Sequence, residues 1–219
     1  MVIKLFIFGL PGSGKSAASR HIEHFAVENK WLAKRFRDYS ILYIMFLAEG
    51  ERKRFHSTKY DGFDVLDHTA FDEALEKLNH RIEQREKPAN GNKELLIIEF
   101  SRDDYCMALR FFVSQPLQDA YILFIDADIN TCKQRIKERV IKPQAERTED
   151  DNYVSEFIFD TYYERDHRHY LESVASQLRE QFGIPADHIH VIHNGFTVSK
   201  DEFQKRVIAF AIDVLKLHI

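Results

Sequence analysis

Apolar residues fall along this chain in two alternating rhythms. Nearly unbroken runs occupy residues 2–8 (VIKLFIF), 94–100 (ELLIIEF), 120–126 (AYILFID) and 188–193 (HIHVIH), with a shorter one from Leu32 to Phe36. Runs of this length, rich in β-branched and aromatic residues, predict strands covered on both faces, as in a parallel sheet. Between them the apolar positions recur at helical spacing. Ala17, Ile22, Phe25 and Ala26 mark a helix over 16–29, and Phe71, Leu75, Leu78 and Ile82 mark one over 69–86. Further helices are predicted over 39–56, 103–113, 129–139, 153–182 and 200–217. Tyr60-Asp61-Gly62 and Lys87 to Asn92 carry turn chemistry, and the polar, charged stretch from Val140 to Asn152 reads as an excursion.

Strands that alternate with helices predict an α/β domain, a parallel sheet with helices on both faces. At 219 residues the chain suits one domain, 1–219, with an appended lid. Its 31 basic and 35 acidic residues give a net charge of −4, so no global basic excess draws it onto nucleic acid or an anionic membrane, and any anion site must be local. Cys106 and Cys132 form no CxxC pair; a reducing, cytoplasmic setting and buried small side chains are expected for them. The N-terminal apolar run is too short to span a bilayer and leads directly into a glycine loop. His188 and His190 alternate on a strand without an accompanying Cys or acid pattern, so a zinc site is not expected.

That loop carries the most specific chemistry. Gly9-Leu10-Pro11-Gly12-Ser13-Gly14-Lys15-Ser16 fits G-x-x-x-x-G-K-[ST], between an apolar strand and a helix that opens near Ala17. Glycines let the backbone curl so that successive N–H groups point at phosphate oxygens, and the helix start adds its positive end. Lys15 would bridge the β- and γ-phosphates of ATP, and the Ser16 hydroxyl would ligate Mg²⁺. The Asn-Lys-x-Asp segment of switch GTPases is absent, and the third strand ends in Glu99 without the Asp-Glu pair of motor-type ATPases. The small-molecule kinase branch is left.

The chain resembles the nucleoside and nucleoside-monophosphate kinase group of P-loop proteins. Ile97-Ile98-Glu99-Phe100-Ser101-Arg102 resembles the acid and arginine that close a strand in that group. Residues 124–139 resemble the strand and helix leading into its lid, and residues 146–152 (ERTEDDN) resemble the lid's far edge with one residue inserted. Tyr163 matches a frequent tyrosine, whereas Phe159 stands where monophosphate kinases carry a second arginine. The resemblance implies a five-stranded sheet in the order 2-3-1-4-5, an acceptor-binding region at about 39–66 and a mobile lid at 140–152.

It also implies roles. Asp38, past the second strand, would accept the proton of the attacking hydroxyl; a helix cap explains the same residue. Glu99 would hold Mg²⁺ through water or serve as the base, against a structural pair with Arg102. Tyr39 and Arg102 would contact the acceptor. Arg135, Arg139 and Arg147 would bring guanidinium groups to the transferring phosphoryl, or else lie on a solvated face. Asn194-Gly195 would meet the adenine through backbone groups or form a plain turn, and Asp126 and Asp128 would mark a strand exit and a helix cap. Lys34, Arg35 and Arg37, with Arg52 to Arg54, would be solvated surface or greet an anionic acceptor. The apolar run 44–47 (IMFL) would support a helix-mediated homodimer. The expected activity is transfer of the ATP γ-phosphate to a small acceptor, a nucleoside or nucleotide; a regulatory ATPase or a kinase of another metabolite is the alternative.

Overall fold

A computed structural model describes residues 1–49, 54–85, 93–113, 117–148, 150–163 and 167–216. The predicted patch residues Arg52 and Lys53 and the predicted loop 87–92 lie outside the described residues. Five strands form one parallel sheet: β1 (Val2–Phe8), β2 (Leu32–Arg37), β5 (Glu94–Glu99), β6 (Tyr121–Asp126) and β7 (Ile189–His193), in the order β2-β5-β1-β6-β7. This is the expected 2-3-1-4-5 order; the labels shift because β3 (Phe55–Ser57) and β4 (Phe63–Val65) pair antiparallel as a separate hairpin. All six residues of β5 are buried, as its unbroken apolar run requires of a strand covered on both faces.

The sheet separates two cores. On one face Phe6, Phe8, Leu96, Ile98, Phe100 and Phe124 pack against α3 (Thr69–Glu83), α4 (Tyr105–Leu109) and α7 (His167–Phe182). The predicted stripe Phe71, Leu75, Leu78 and Ile82 is the face α3 buries there. On the other face Leu5, Ile7, Ile97, Leu123 and Ile125 pack against α1 (Lys15–Glu28) and α8 (Lys200–Leu215). A third cluster, with Leu10, Cys132, Ile136, Ile158 and Phe159, joins the glycine loop to α5 (Ile129–Val140) and α6 (Glu156–Thr161). Asp128 caps α5 by accepting from the Thr131 N–H at 2.9 Å, as expected for it.

Three elements differ from their sequence patterns. The helix predicted over 39–56 is α2 (Asp38–Glu49), and the hairpin follows it. Strands of three residues alternate too briefly for periodicity to register. The helix expected over 103–113 begins at Tyr105, where Asp104 caps it, and tightens into a 3-10 turn at Arg110–Phe112. The stretch 153–182 is not one helix: Ser155 is extended and caps α6 at Glu156, α6 ends at Thr161, and α7 begins at His167. In the IMFL run, Met45 is buried and only Ile44 and Leu47 are exposed. Among the described residues no helix is long and apolar enough to cross a membrane.

Candidate active site

β1 runs out at Phe8 and the chain folds over the carboxyl edge of the sheet as the glycine loop. Gly12 has φ +83°, and a Cβ there would stand 2.6 Å from the Cys132 carbonyl oxygen at the start of α5. Gly14 has φ +113°, and a Cβ there would stand 2.5 Å from Asn194 Nδ2. Only glycine serves at either place. The Gly9 N–H donates to the Tyr105 hydroxyl at 2.9 Å, and the Ser101 hydroxyl donates to the Gly9 carbonyl at 2.9 Å. The loop is thus pinned from α4 and from the end of β5.

Helix α1 begins with no capping side chain and no acidic residue in its first turn. Its first N–H groups and positive end therefore stay available to an anion, which fits a phosphate. Lys15 Nζ donates to the Gly9 and Leu10 carbonyls, each at 2.9 Å. Burial pulls its pKa down to about 8, against the pull of Glu99 and Asp38. Pro11 and Gly12 line the cavity beside Lys15 and Ser16, Ser13 is fully buried, and Ala17 is half-buried against the α1 core.

Glu99 ends β5 almost wholly buried, yet its carboxylate is partnered. Oε2 accepts from the Ser19 hydroxyl at 2.8 Å; Oε1 accepts from Arg35 Nη2 at 3.2 Å and from the Ser16 hydroxyl at 3.4 Å. A hydroxyl beside a fixed carboxylate is an oxygen donor set suited to hydrated Mg²⁺. The pairing of Glu99 with Arg102 does not occur. Arg102 pairs with Asp38, the first residue of α2, at 2.5 Å, and also donates to the carbonyls of Ser101 at 2.6 Å and Phe71 at 2.8 Å. Its guanidinium lies 4.9 Å over the Phe71 ring.

These groups share one cleft. The glycine loop, Lys15, Ser16 and Glu99 form one end; Asp38, Tyr39 and Arg102 stand among Leu42, Phe63, Val65, Phe71 and Phe100. Tyr39 stacks on Phe63 at 5.5 Å, and burial pushes its phenol up to about 12, so it stays neutral. Arg139 lines the same cleft and donates through Nε to the Asn152 carbonyl at 2.9 Å.

Four further residues singled out in the sequence do not line this cleft. Arg135 directs its donors to the carbonyls of Asn194 (2.9 Å), Gly195 (3.2 Å) and Ser13 (3.4 Å), so it fastens the glycine loop to the loop after β7. Asn194 Nδ2 makes the same tie through the Ser13 carbonyl at 2.7 Å. Arg147 lines an adjoining surface cleft, where it donates to the Lys142 carbonyl at 3.1 Å and stacks 5.6 Å over Tyr60. Asp126 contacts His193 Nδ1 at 2.6 Å at the strand exit.

Sequence reasoning missed Ser19, Tyr105, Ser101 and, above all, Asp150. This residue of the predicted lid segment is buried and pairs with Arg20, Arg35 and Arg37. The available signal was the spacing of Arg35 and Arg37. Residues two apart on a strand share a face, and this face is the one Glu99 occupies in register with Arg37.

No family model matches the sequence, and no curated protein matches it. Solved structures are similar over nearly the whole chain. An unliganded sugar kinase from Janibacter shares 12% identity at TM-score 0.53, covering 99% of this chain and 96% of its own. An APS kinase from Mycobacterium tuberculosis, solved with AMPPNP and APS, shares 14% at TM-score 0.51, covering 98% and 97%. A protein from Chloroflexus aurantiacus shares 13% at TM-score 0.50, covering 94% and 97%. The chain has the three-layer α/β fold of P-loop kinases.

Proposed function

We propose that the protein transfers the γ-phosphate of ATP to a hydroxyl or phosphate of a small acceptor, a nucleoside or nucleotide. One juxtaposition carries this reading: the phosphate loop with Lys15 opens into the same cleft as the buried Asp38–Arg102 pair. An aromatic and aliphatic wall around one carboxylate and one guanidinium suits a planar, partly polar acceptor.

The residues take the following roles. Amides of residues 9–16 and the start of α1 hold the triphosphate, and Lys15 leaves its two carbonyls for the β- and γ-phosphates. Ser16 and Glu99 hold Mg²⁺, Glu99 through water; when bound, the ion neutralises charge on the phosphates. Asp38 receives the proton of an attacking hydroxyl, because it stands on the acceptor side while Glu99 is engaged by Ser16 and Ser19. Arg102 and Tyr39 orient the acceptor. Arg139 exchanges the Asn152 carbonyl for phosphoryl oxygens, and the lid segment that lines the cleft excludes water.

The test is a coupled ADP-release assay across nucleosides, nucleotides, sugars and other hydroxylated metabolites. Acceptor-stimulated ADP release, with phosphorylated product by mass spectrometry, is expected for at least one nucleoside or nucleotide. Hydrolysis of ATP that no acceptor stimulates would instead point to a regulatory ATPase.

A further inference from the structure

Three arginines from two elements converge on one lid carboxylate. Arg20 on α1 and Arg35 and Arg37 on β2 all contact Asp150. Arg35 Nη2 lies 3.4 Å from Asp150 Oδ1 and 3.2 Å from Glu99 Oε1, so one nitrogen serves two carboxylates. Arg37 Nε is 3.8 Å from the same Glu99 oxygen. That oxygen also faces the Ser16 hydroxyl at 3.4 Å. The Glu99 and Asp150 side chains are only 5% and 7% exposed, so water screens none of this strongly.

Guanidinium groups in such surroundings close on whichever carboxylate is in reach, and they bind it bidentately when they can. Asp150 takes a share of Arg35 and the nearer contact with Arg37. Take it away, and Arg35, whose Nη2 the two carboxylates now share, is left to Glu99. The Glu99 oxygen beside Ser16 would then be consumed, and the positive charge that Asp150 had offset would border the place where a divalent cation has to sit.

We infer that Asp150 is a positioning residue: it shares Arg35 with Glu99, keeps that arginine from closing fully on Glu99, and so leaves the Ser16–Glu99 pair able to receive Mg²⁺. The inference rests on the proposed role of that pair. It makes the cation site complete only while the lid segment lies against β2, which ties lid position to readiness for phosphoryl transfer. A residue that merely stabilised the fold would leave cation affinity unchanged in any variant that still folds.

The test uses the full chain with a non-hydrolysable ATP analogue, and titrates Mg²⁺ by calorimetry and Mn²⁺ by electron paramagnetic resonance. Asp150→Asn is expected to weaken the cation about tenfold or more, the usual cost of losing an outer partner of a metal ligand. Arg35→Gln alone should leave cation affinity unchanged or tighter. The double variant should return to within about threefold of wild type, because the competitor for Glu99 has been removed. Melting temperatures identify variants that do not fold, and Arg35→Gln decides if Asp150→Asn is one of them: a tenfold cation loss in Arg35→Gln overturns the inference. So does a folded Asp150→Asn that binds the cation like wild type, or a double variant no better than the single. If wild type binds no analogue at all, the proposed function fails and takes this inference with it. If wild type binds Mg²⁺ and analogue while Asp150→Asn matches it, only the role of Asp150 falls.

Discussion

Arg102 donates to Asp38 Oδ2 at 2.5 Å, with the two side chains only 4% and 9% exposed. A buried pair of this kind contributes little net stability, but breaking it strands a charge. Arg102→Met should therefore cost about 3 kcal/mol or more in denaturant unfolding, since Asp38 loses its cation and two buried carbonyls lose a donor. Asp38→Asn keeps the shape and can still meet Arg102 through its amide oxygen. It should fold and lose kcat by roughly two to four orders of magnitude, the range for a missing general base. Glu99→Gln should lower kcat less and raise the Mg²⁺ requirement more; the reverse ranking would make Glu99 the base.

Lys15 gives the second prediction. Its ammonium group is buried against two carbonyls and its pKa is lowered to about 8 by burial, so the folded state gains little from the charge. Lys15→Met should melt at the same temperature as wild type or slightly higher. The stabilisation by saturating ATP analogue, about 2.7 kcal/mol at a hundredfold excess over Kd, should largely disappear, and turnover with it. Wild-type turnover in Lys15→Met would show that phosphate binds elsewhere.

How much of this could be read from the chain alone depends on the range of the interactions involved. The five sheet strands and the α3 stripe were legible because burial on two faces, or on one, imprints directly on residue order. The phosphate loop was legible because a positive φ at Gly12 and Gly14 excludes other residues. The partners of Arg135 and Asn194 were not legible, because they are backbone carbonyls, which leave no trace in side-chain identity. Asp150 was invisible for a related reason. Its contact with Arg35 spans 115 positions, and the lid-like motif around residue 150 does not say which arginines it meets.

Asp64 of the hairpin gives a pH-dependent prediction. It is buried, Oδ2 accepts from the Ser155 hydroxyl at 2.8 Å, and Oδ1 has no hydrogen-bond partner among the described residues. Burial raises its pKa, with the Ser155 hydrogen bond opposing. A raised acid holds its proton more readily folded than unfolded, so the native state binds more protons. Stability from this group is present at low pH and is lost as pH rises through the folded pKa. Asp64→Asn has no such loss. The variant should exceed wild type at neutral pH, because a neutral amide is cheaper to bury than a carboxylate, and the gap should narrow on acidification. Urea unfolding at several pH values measures it, and a gap that widens toward low pH would contradict the burial account.

Tyr153 gives the last prediction, because it joins the lid to the hairpin. Its ring meets Tyr60 edge-on at 5.4 Å, and its Cβ stands 3.0 Å from where a Cβ on Gly62 would lie. Arg147 covers the other partner, and the Ser155–Asp64 hydrogen bond closes the seam. Tyr60 and Asp61 both hold φ +59°, an arrangement that costs about 1 kcal/mol or more for each non-glycine residue and persists only while its surroundings enforce it. Tyr153 also lines the cleft. Tyr153→Ala loosens the hairpin tip from the lid, leaving only the Arg147–Tyr60 and Ser155–Asp64 contacts along this seam. Both KM values should rise, the acceptor's by about tenfold and that of ATP by less, while kcat at saturation falls only modestly. Tyr153→Phe keeps the ring and should behave like wild type. An equal loss in both variants would assign the effect to the hydroxyl rather than to the contact between lid and hairpin.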